Sequence, residues 1–301
     1  MKKLIRKGKV KEVYEVSDEH LMFFFTDNIS VFDKVIPTDV PRKGESLCKT
    51  STYWFNRIKD DLRINTHFIE MLDEQTMKVK KVDVIKDHHK IDHNTTNYLI
   101  PLEFICRYYV AGSLLDRLQR GDVDHQDYGF KEMPKYGDKL PKPHFEVTTK
   151  LEKFDRHISY EEALEISGLT DDEYIEIKDA VMKIDRLIER TIENNDLIHV
   201  DGKKEFAMDE NREIMVIDTF GTADEDRFWE SSEYKKGNYV EKSKEFVRQY
   251  YRDIGYHKDL MEARREGDDE PMIPALPDDV RDAASELYVD MMTRLTDGKY
   301  R

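Results

Sequence analysis

L-I-H-V-D-G-K-K-E-F-A-M (197–208), D-E-N-R (209–212) and E-I-M-V-I-D-T-F-G-T-A-D-E-D-R-F-W (213–229) read as two apolar-rich runs about a polar tip. Asp and Asn between such runs predict a β-hairpin. With Glu210 and Asn211 at the tip, Glu205 faces Val216, and Asp218 lies diagonally across from Glu205 on the same face. Strand alternation adds Asp201 and Lys203 to that face, while Phe206, Met208 and Ile217 are expected to pack the other. The plain alternative is a solvated face carrying ordinary charge pairs. Against it, the apolar residues can cover only one side, so the charged side must meet something cationic. Glu205 and Asp218 offer the oxygen ligands that Mg²⁺ takes together with substrate phosphates.

The rest of the composition narrows the class. At 301 residues the chain can bury one large core or two smaller ones, and no segment repeats at a solenoid period. A net charge of −15 argues against a nucleic-acid partner. Against that background, local basic sites must draw any anionic ligand through a repulsive field. Cys48 and Cys106 are too few for a disulfide framework. The start M-K-K-L-I-R lacks an apolar signal core and no long apolar run follows, so a soluble cytoplasmic protein without a membrane partner is expected.

Earlier in the chain, residues 4–16 predict two strands about a tight turn at Gly8, with Lys7, Lys9 and Lys11 crowded around it. A glycine there lets backbone N–H groups approach phosphate, although glycine in a hairpin is often only a turn. A strand over 21–26 leads to D-N-I-S-V-F-D (27–33), and a helix carries Leu47, Ser51, Trp54, Phe55, Ile58 and Leu62 at helical spacing. Residues 67–110 read as further antiparallel strands, with His88, His89 and His93 in an exposed loop. Arg107 on a strand, then Gly112-Ser113 at a helix start, makes either an anion site or a glycine-assisted turn. Residues 134–143 read as a turn-rich connector. Capping boxes at Ser159/Glu162 and Thr170/Glu173 follow, the second opening a long helix to Asn194-Asn195. A helix over 239–254, a charged segment over 262–270 and a last helix ending before Gly298 complete the prediction.

Seven separated segments, taken in order, resemble one family. I-P-L-E-F-I-C-R-Y-Y-V-A-G-S (100–113) and L-I-H-V-D-G-K-K-E-F-A (197–207) are similar to the two signatures of the phosphoribosylaminoimidazole-succinocarboxamide synthase (SAICAR synthetase) family of purine biosynthesis. G-K-V-K-E-V-Y (8–14), T-D-N-I-S-V-F-D (26–33), T-T-K (148–150), D-T-F-G-T-A-D-E-D-R-F-W (218–229) and I-P-A-L-P-D-D-V (273–280) also look like it. The resemblance implies an α+β fold, with an N-terminal antiparallel β lobe (1–105) over a larger α+β domain (106–301) and ATP in the cleft. It further implies ligation of L-aspartate to the carboxylate of carboxyaminoimidazole ribonucleotide (CAIR), using ATP and Mg²⁺ and passing through an acyl phosphate. Carried onto this sequence, Lys7, Gly8, Lys9, Val10, Lys11 and Glu103 would bind ATP, and Glu205 and Asp218 the metal. Arg107, Ser113 and Asp201 would bind CAIR, Asp201 and Lys203 would act at the reacting carboxylate, and Lys150, Asp155 and Arg227 would take aspartate. Lys204, Ala207, His199 and Phe154 depart from the family pattern, none at a charged functional position. Another ATP-dependent phosphotransferase, or an inactive nucleotide-binding scaffold, would share part of these features, and a homo-oligomer stays open.

Overall fold

The computed structural model describes residues 2–152 and 155–300, so Phe154 lies outside the described residues. Strands β1 (Lys3–Lys7), β2 (Lys11–Glu15), β3 (His20–Phe25), β4 (Asn28–Val31) and β5 (Lys34–Asp39) precede helix α1 (Lys43–Arg57). Then come β6 (Phe68–Asp73) and β7 (Thr76–Lys80). Five of these strands form an antiparallel sheet in the order β1-β2-β3-β7-β6, and β4 and β5 pair as a separate ribbon. The turn between β1 and β2 closes where Gly8 N–H donates to the Lys11 carbonyl at 2.8 Å. A Cβ on Gly8 would lie 2.8 Å from that same oxygen, so the tight turn needs glycine. The aromatic stripe of α1 is core as expected, with Trp54 and Phe55 fully buried.

The second half is built around one long strand. In order come β8 (Tyr98–Leu99), β9 (Leu102–Tyr109), α2 (Gly112–Arg120), β10 (Lys139–Thr149), α3 (Tyr160–Ser167), α4 (Asp171–Ile192), β11 (Leu197–Met208), β12 (Ile214–Ile217) and β13 (Asp226–Glu230). Helices α5 (Ser231–Tyr234), α6 (Glu245–Asp253), α7 (Tyr256–Glu266) and α8 (Asp278–Leu295) complete the chain. The first half of β11 pairs with β9 and β13, its second half with β12 and β8. Helix α4 covers the back of β11 with a stripe that includes Ile177, Val181, Ile184 and Ile188. The expected lobe boundary at 105/106 falls inside β9, whereas the first sheet ends at Lys80. Helix α8 returns to α1: Ser46 Oγ donates to the Tyr288 carbonyl at 2.6 Å, and Ser285 Oγ to that of Pro41 at 2.7 Å. Among the described residues, no helix is long and apolar enough to cross a membrane.

Several expectations need correction. The hairpin pairs Glu205 with Ile217 and Met208 with Ile214, one residue out of the expected register. Its loop spans 209–213, because Asp209 accepts from the N–H groups of Asn211 and Glu213 and holds a wider turn. Ile217 therefore shares the Glu205 face, packing with Ala207, Met215, Val82 and Leu99. The connector at 134–143 is shorter than expected, since β10 begins at Lys139; as an edge strand, β10 tolerates Pro141 and Pro143. Residues 239–244 are not helical, and much of the charged 262–270 segment belongs to α7. Thr170 forms a full capping box, while Ser159 caps α3 by its hydroxyl alone.

Candidate active site

Alternation along β11 brings Asp201, Lys203 and Glu205 to one face. The register slip would have turned Asp218 away from that face, but Asp218 follows β12 in the left-handed conformation (φ 59°). That reversal of the backbone returns its carboxylate to the cleft, where it and Glu205 line one cavity. Glu205 Oε1 accepts from Lys150 and from Lys203, each at 2.7 Å. Glu205 Oε2 is buried and has no hydrogen-bond partner among the described residues. Lys11 donates to Asp218 and lies 4.3 Å from the Phe23 ring centroid. Burial raises the pKa of both carboxyls, but Lys150 and Lys203 outweigh it at Glu205, and Lys11, Lys150 and Lys203 at Asp218. Both therefore stay ionised, and two carboxylates with one orphaned buried oxygen fit Mg²⁺.

The cavity these residues line has a volume of about 420 Å³. Apolar side chains, among them Val13, Leu21, Val82, Leu99 and Ile217, share its wall with the charged groups Lys11, Lys150, Glu205 and Asp218. Gly8, Lys9 and Val10 lie on its wall, and Lys9 also reaches Asp33 on the β4–β5 ribbon at 2.6 Å. Lys7 does not join them: it is exposed, as all of β1 is, and pairs with Glu12 at 3.5 Å. Glu103 on β9 sits behind the lysines, 3.0 Å from Lys203 and 3.5 Å from Lys150.

A second cavity of about 400 Å³ collects Arg107, Ser113, Asp201, Lys203 and Arg227. Arg107 is held on three sides, donating to Glu146 at 2.5 Å, to Asp201 at 3.2 Å and to Ser113 Oγ at 3.1 Å. Arg227 donates to Asp201 and, at 3.1 Å, to Glu245. Gly112 has φ 53°, and a Cβ there would lie 2.6 Å from Arg227 Nη2, so the A-G-S turn leaves room for the guanidinium. Lys150 lines the first cavity and Arg227 the second, while Asp155 is exposed near Lys150 and Lys203; the structure does not gather these three in one pocket. Phe32, Asp33, Glu225, Arg248 and Arg252 also line the second cavity, and none was anticipated. Arg248 and Arg252 are spaced as an ordinary surface face of α6, and only their shared partner Glu245 marks them as a cluster.

Glu146 and Glu245 give this region an acid limit. Burial raises both, yet Arg107 and Arg117 bring Glu146, and Arg227, Arg248 and Arg252 bring Glu245, from 4.5 down to about 2. A carboxyl whose pKa is depressed by folding stabilises fully above its unfolded value and loses that contribution as pH falls toward the folded one. The unfolding midpoint should therefore drop as pH falls from 4.5 to about 2. Glu146→Gln, less stable at neutral pH, should lose less over this window; a slope equal to that of the parent protein would assign the acid loss elsewhere.

Behind the cleft, on the opposite face of β11, Lys204 is fully buried. It donates to Asp185 of α4 and, at 3.1 Å, to Asp226; His199 Nε2 lies 2.7 Å from Asp226, and the Tyr108 hydroxyl donates to Asp185 at 2.9 Å. Asp185, His199 and Asp226 have the spacing of a metal site, but the Lys204 ammonium already fills the cation position. Asp226 also accepts from Gly221 N–H at 2.9 Å, closing the loop that carries Asp218 and Glu225. Gly202 is required beside it, since a Cβ would lie 2.1 Å from Asp226 Oδ2. Farther along that loop, Asp224 accepts from Lys43 at 3.0 Å and from the Tyr288 hydroxyl, and Lys244 lies 3.5 Å away.

Two adjoining cavities, the first lined by Lys11, Lys150, Glu205 and Asp218 and the second by Arg107, Lys203 and Arg227, offer charged groups to more than one anionic ligand. The comparisons with known proteins give the class. The SAICAR synthetase family profile matches residues 4–263. Phosphoribosylaminoimidazole-succinocarboxamide synthase of Thermoplasma acidophilum is 54% identical, over 99% of this chain and 100% of its own length. The putative enzyme of that name from Archaeoglobus fulgidus is 35% identical, over 92% of this chain and 88% of its own. Among solved structures, the Saccharomyces cerevisiae SAICAR synthase complexed with SAICAR has a TM-score of 0.75 at 26% identity, covering 99% of this chain and 95% of that one. A SAICAR synthetase in complex with ADP has a TM-score of 0.66 at 25% identity, covering 89% and 99%. The chain belongs to the SAICAR synthetase family of ATP-dependent ligases, whose step in purine biosynthesis joins CAIR and aspartate.

Proposed function

We propose that this enzyme, in the cytoplasm, joins L-aspartate to the carboxylate of CAIR with ATP and Mg²⁺, releasing ADP and phosphate through an acyl phosphate. The observation that carries this reading is the Lys203–Glu205 contact of 2.7 Å, which links the cavity holding the metal-type carboxylates to the cavity holding the arginines. In this reading the adenine packs against the apolar side chains of the first cavity, and Lys9, Lys11 and the Gly8–Val10 turn neutralise the phosphates. Glu205 and Asp218 would hold Mg²⁺, which supplies charge neutralisation across the transferring phosphoryl group. Arg107 and Ser113 take the phosphate and ribose end of CAIR, and Asp201 orients the imidazole. Lys203 lies at the reacting carboxylate, where it stabilises the charge that develops as the acyl phosphate forms. Activation is required because an amine cannot expel oxide from a carboxylate. Arg227 would meet a carboxylate of aspartate, with Lys150 and Asp155 on the opposite wall.

The reading is tested by phosphate release from purified enzyme. Turnover that requires ATP, CAIR and aspartate together supports it, whereas a stable phosphate ester formed from CAIR and ATP without aspartate would make the protein a kinase. Arg107→Lys should lower CAIR affinity by about 1.5–3 kcal/mol of charge-assisted hydrogen bonding while leaving ATP affinity nearly unchanged. Equal loss for both substrates would make Arg107 structural.

A further inference from the structure

Glu225 is the residue that lines both cavities among the described residues. It lies on the loop between β12 and β13, partly open to the cleft, with its carboxylate 3.2 Å from Lys203. Any acyl group activated in one cavity and attacked from the other must react beside it. The other carboxylates of the second cavity are placed differently. Asp201 is held between Arg107 and Arg227, and Glu245 is held by Arg227, Arg248 and Arg252. Asp33 is paired with Lys9, and Asp116 sits one turn into α2 beyond Ser113 and does not line the first cavity. Lys203 also has Glu103 and Glu205 as partners, so its departure from Glu225 toward a substrate carboxylate leaves no ammonium unpaired.

We propose that Glu225 is the base that takes the proton from the incoming amino group, an assignment that rests on the acyl-phosphate reading above. Aspartate arrives as an ammonium and cannot attack until a proton leaves. Glu225 accepts that proton and the nitrogen lone pair forms the C–N bond. The C–O bond to the phosphoryl group breaks, and the second N–H proton leaves with phosphate as HPO₄²⁻. The Glu225 carboxylic acid then returns its proton to solvent through the open side of the cleft.

Hydroxylamine supplies the decisive comparison, because it is neutral under assay conditions and attacks an acyl phosphate without a base. In Glu225→Gln, kcat with aspartate should fall about 100-fold or more, the range of general base catalysis. Hydroxamate formation from CAIR, ATP and hydroxylamine should stay within about threefold of the parent enzyme, since positioning and charge neutralisation are retained. Glu225→Ala should regain aspartate turnover when formate is added, as a free carboxylate enters the space. Equal losses with both nucleophiles, together with no formate rescue, would overturn the assignment and make Glu225 a support for Lys203. If the parent enzyme forms no hydroxamate at all, the acyl-phosphate reading fails first, and the base assignment falls with it.

Discussion

Glu205→Gln combined with Asp218→Asn is expected to leave a folded protein whose ligase turnover has fallen by about 10³-fold or more, the scale of losing a preorganised charge stabiliser. Both side chains keep their shape, and Lys150 and Lys203 retain Glu103 as a partner. What disappears is the negative charge that balances a metal ion among three ammonium groups, those of Lys11, Lys150 and Lys203. Binding of Mn²⁺ in the presence of ADP, read by paramagnetic resonance, should weaken together with activity. Each single variant should raise the Mg²⁺ concentration for half-maximal turnover. Because both carboxyls sit below their usual range, this requirement should not change at mildly acid pH. Unaltered Mg²⁺ dependence and Mn²⁺ binding in the double variant would remove the metal from this pair.

Lys204→Met is the second large effect, and it acts on folding. Methionine fills nearly the same volume but leaves Asp185 and Asp226 buried without their ammonium. Breaking a buried pair by removing one partner destabilises by about 3–5 kcal/mol. Adding Asp185→Asn should recover much of that loss, because His199 and Asp226 then remain as one balanced pair and Tyr108 keeps an acceptor. The pH dependence follows from His199. Burial lowers its pKa, but Asp185 and Asp226 raise it further, so the net shift is upward, and Lys204 opposes that rise. A group with a raised folded pKa stabilises below its unfolded pKa and loses that contribution as pH climbs through the folded one. Without Lys204 the rise is larger, so the deficit of Lys204→Met should grow as pH climbs above 6.5, the ordinary imidazole value, through the raised folded one in denaturant titrations. A deficit independent of pH would mean that His199 does not respond to Lys204.

Much of this organisation is legible in the residues because it is local. Gly8 among its lysines, the alternation that groups Asp201 with Lys203 and Glu205, and the apolar stripe of α4 are each set by chain geometry over a few residues. The misread features depend on distant partners or on a single turn. Asp209 widens the hairpin by accepting two backbone N–H groups, which slips the register; the left-handed Asp218 restores the carboxylate pairing that the slip would have lost. Lys204 reads only as a departure from the family pattern until α4 presents Asp185 to it. Glu225, Arg248 and Arg252 look like routine polar positions, since nothing local shows that one loop and one helix close on the same cavity.

Helix α8 comes after every other element of the site in the order of synthesis. Its Tyr288 hydroxyl reaches Asp224, and its start and middle are sewn to the beginning of α1. A ribosome therefore completes both cavity walls before it makes the helix that covers the buried Lys43–Asp224 pair. Until α8 docks, that pair faces water and the loop bearing Asp218 and Glu225 lacks its outer clamp. The first cavity, which Asp224 and Glu225 line, is therefore finished only when the helix made after it is in place.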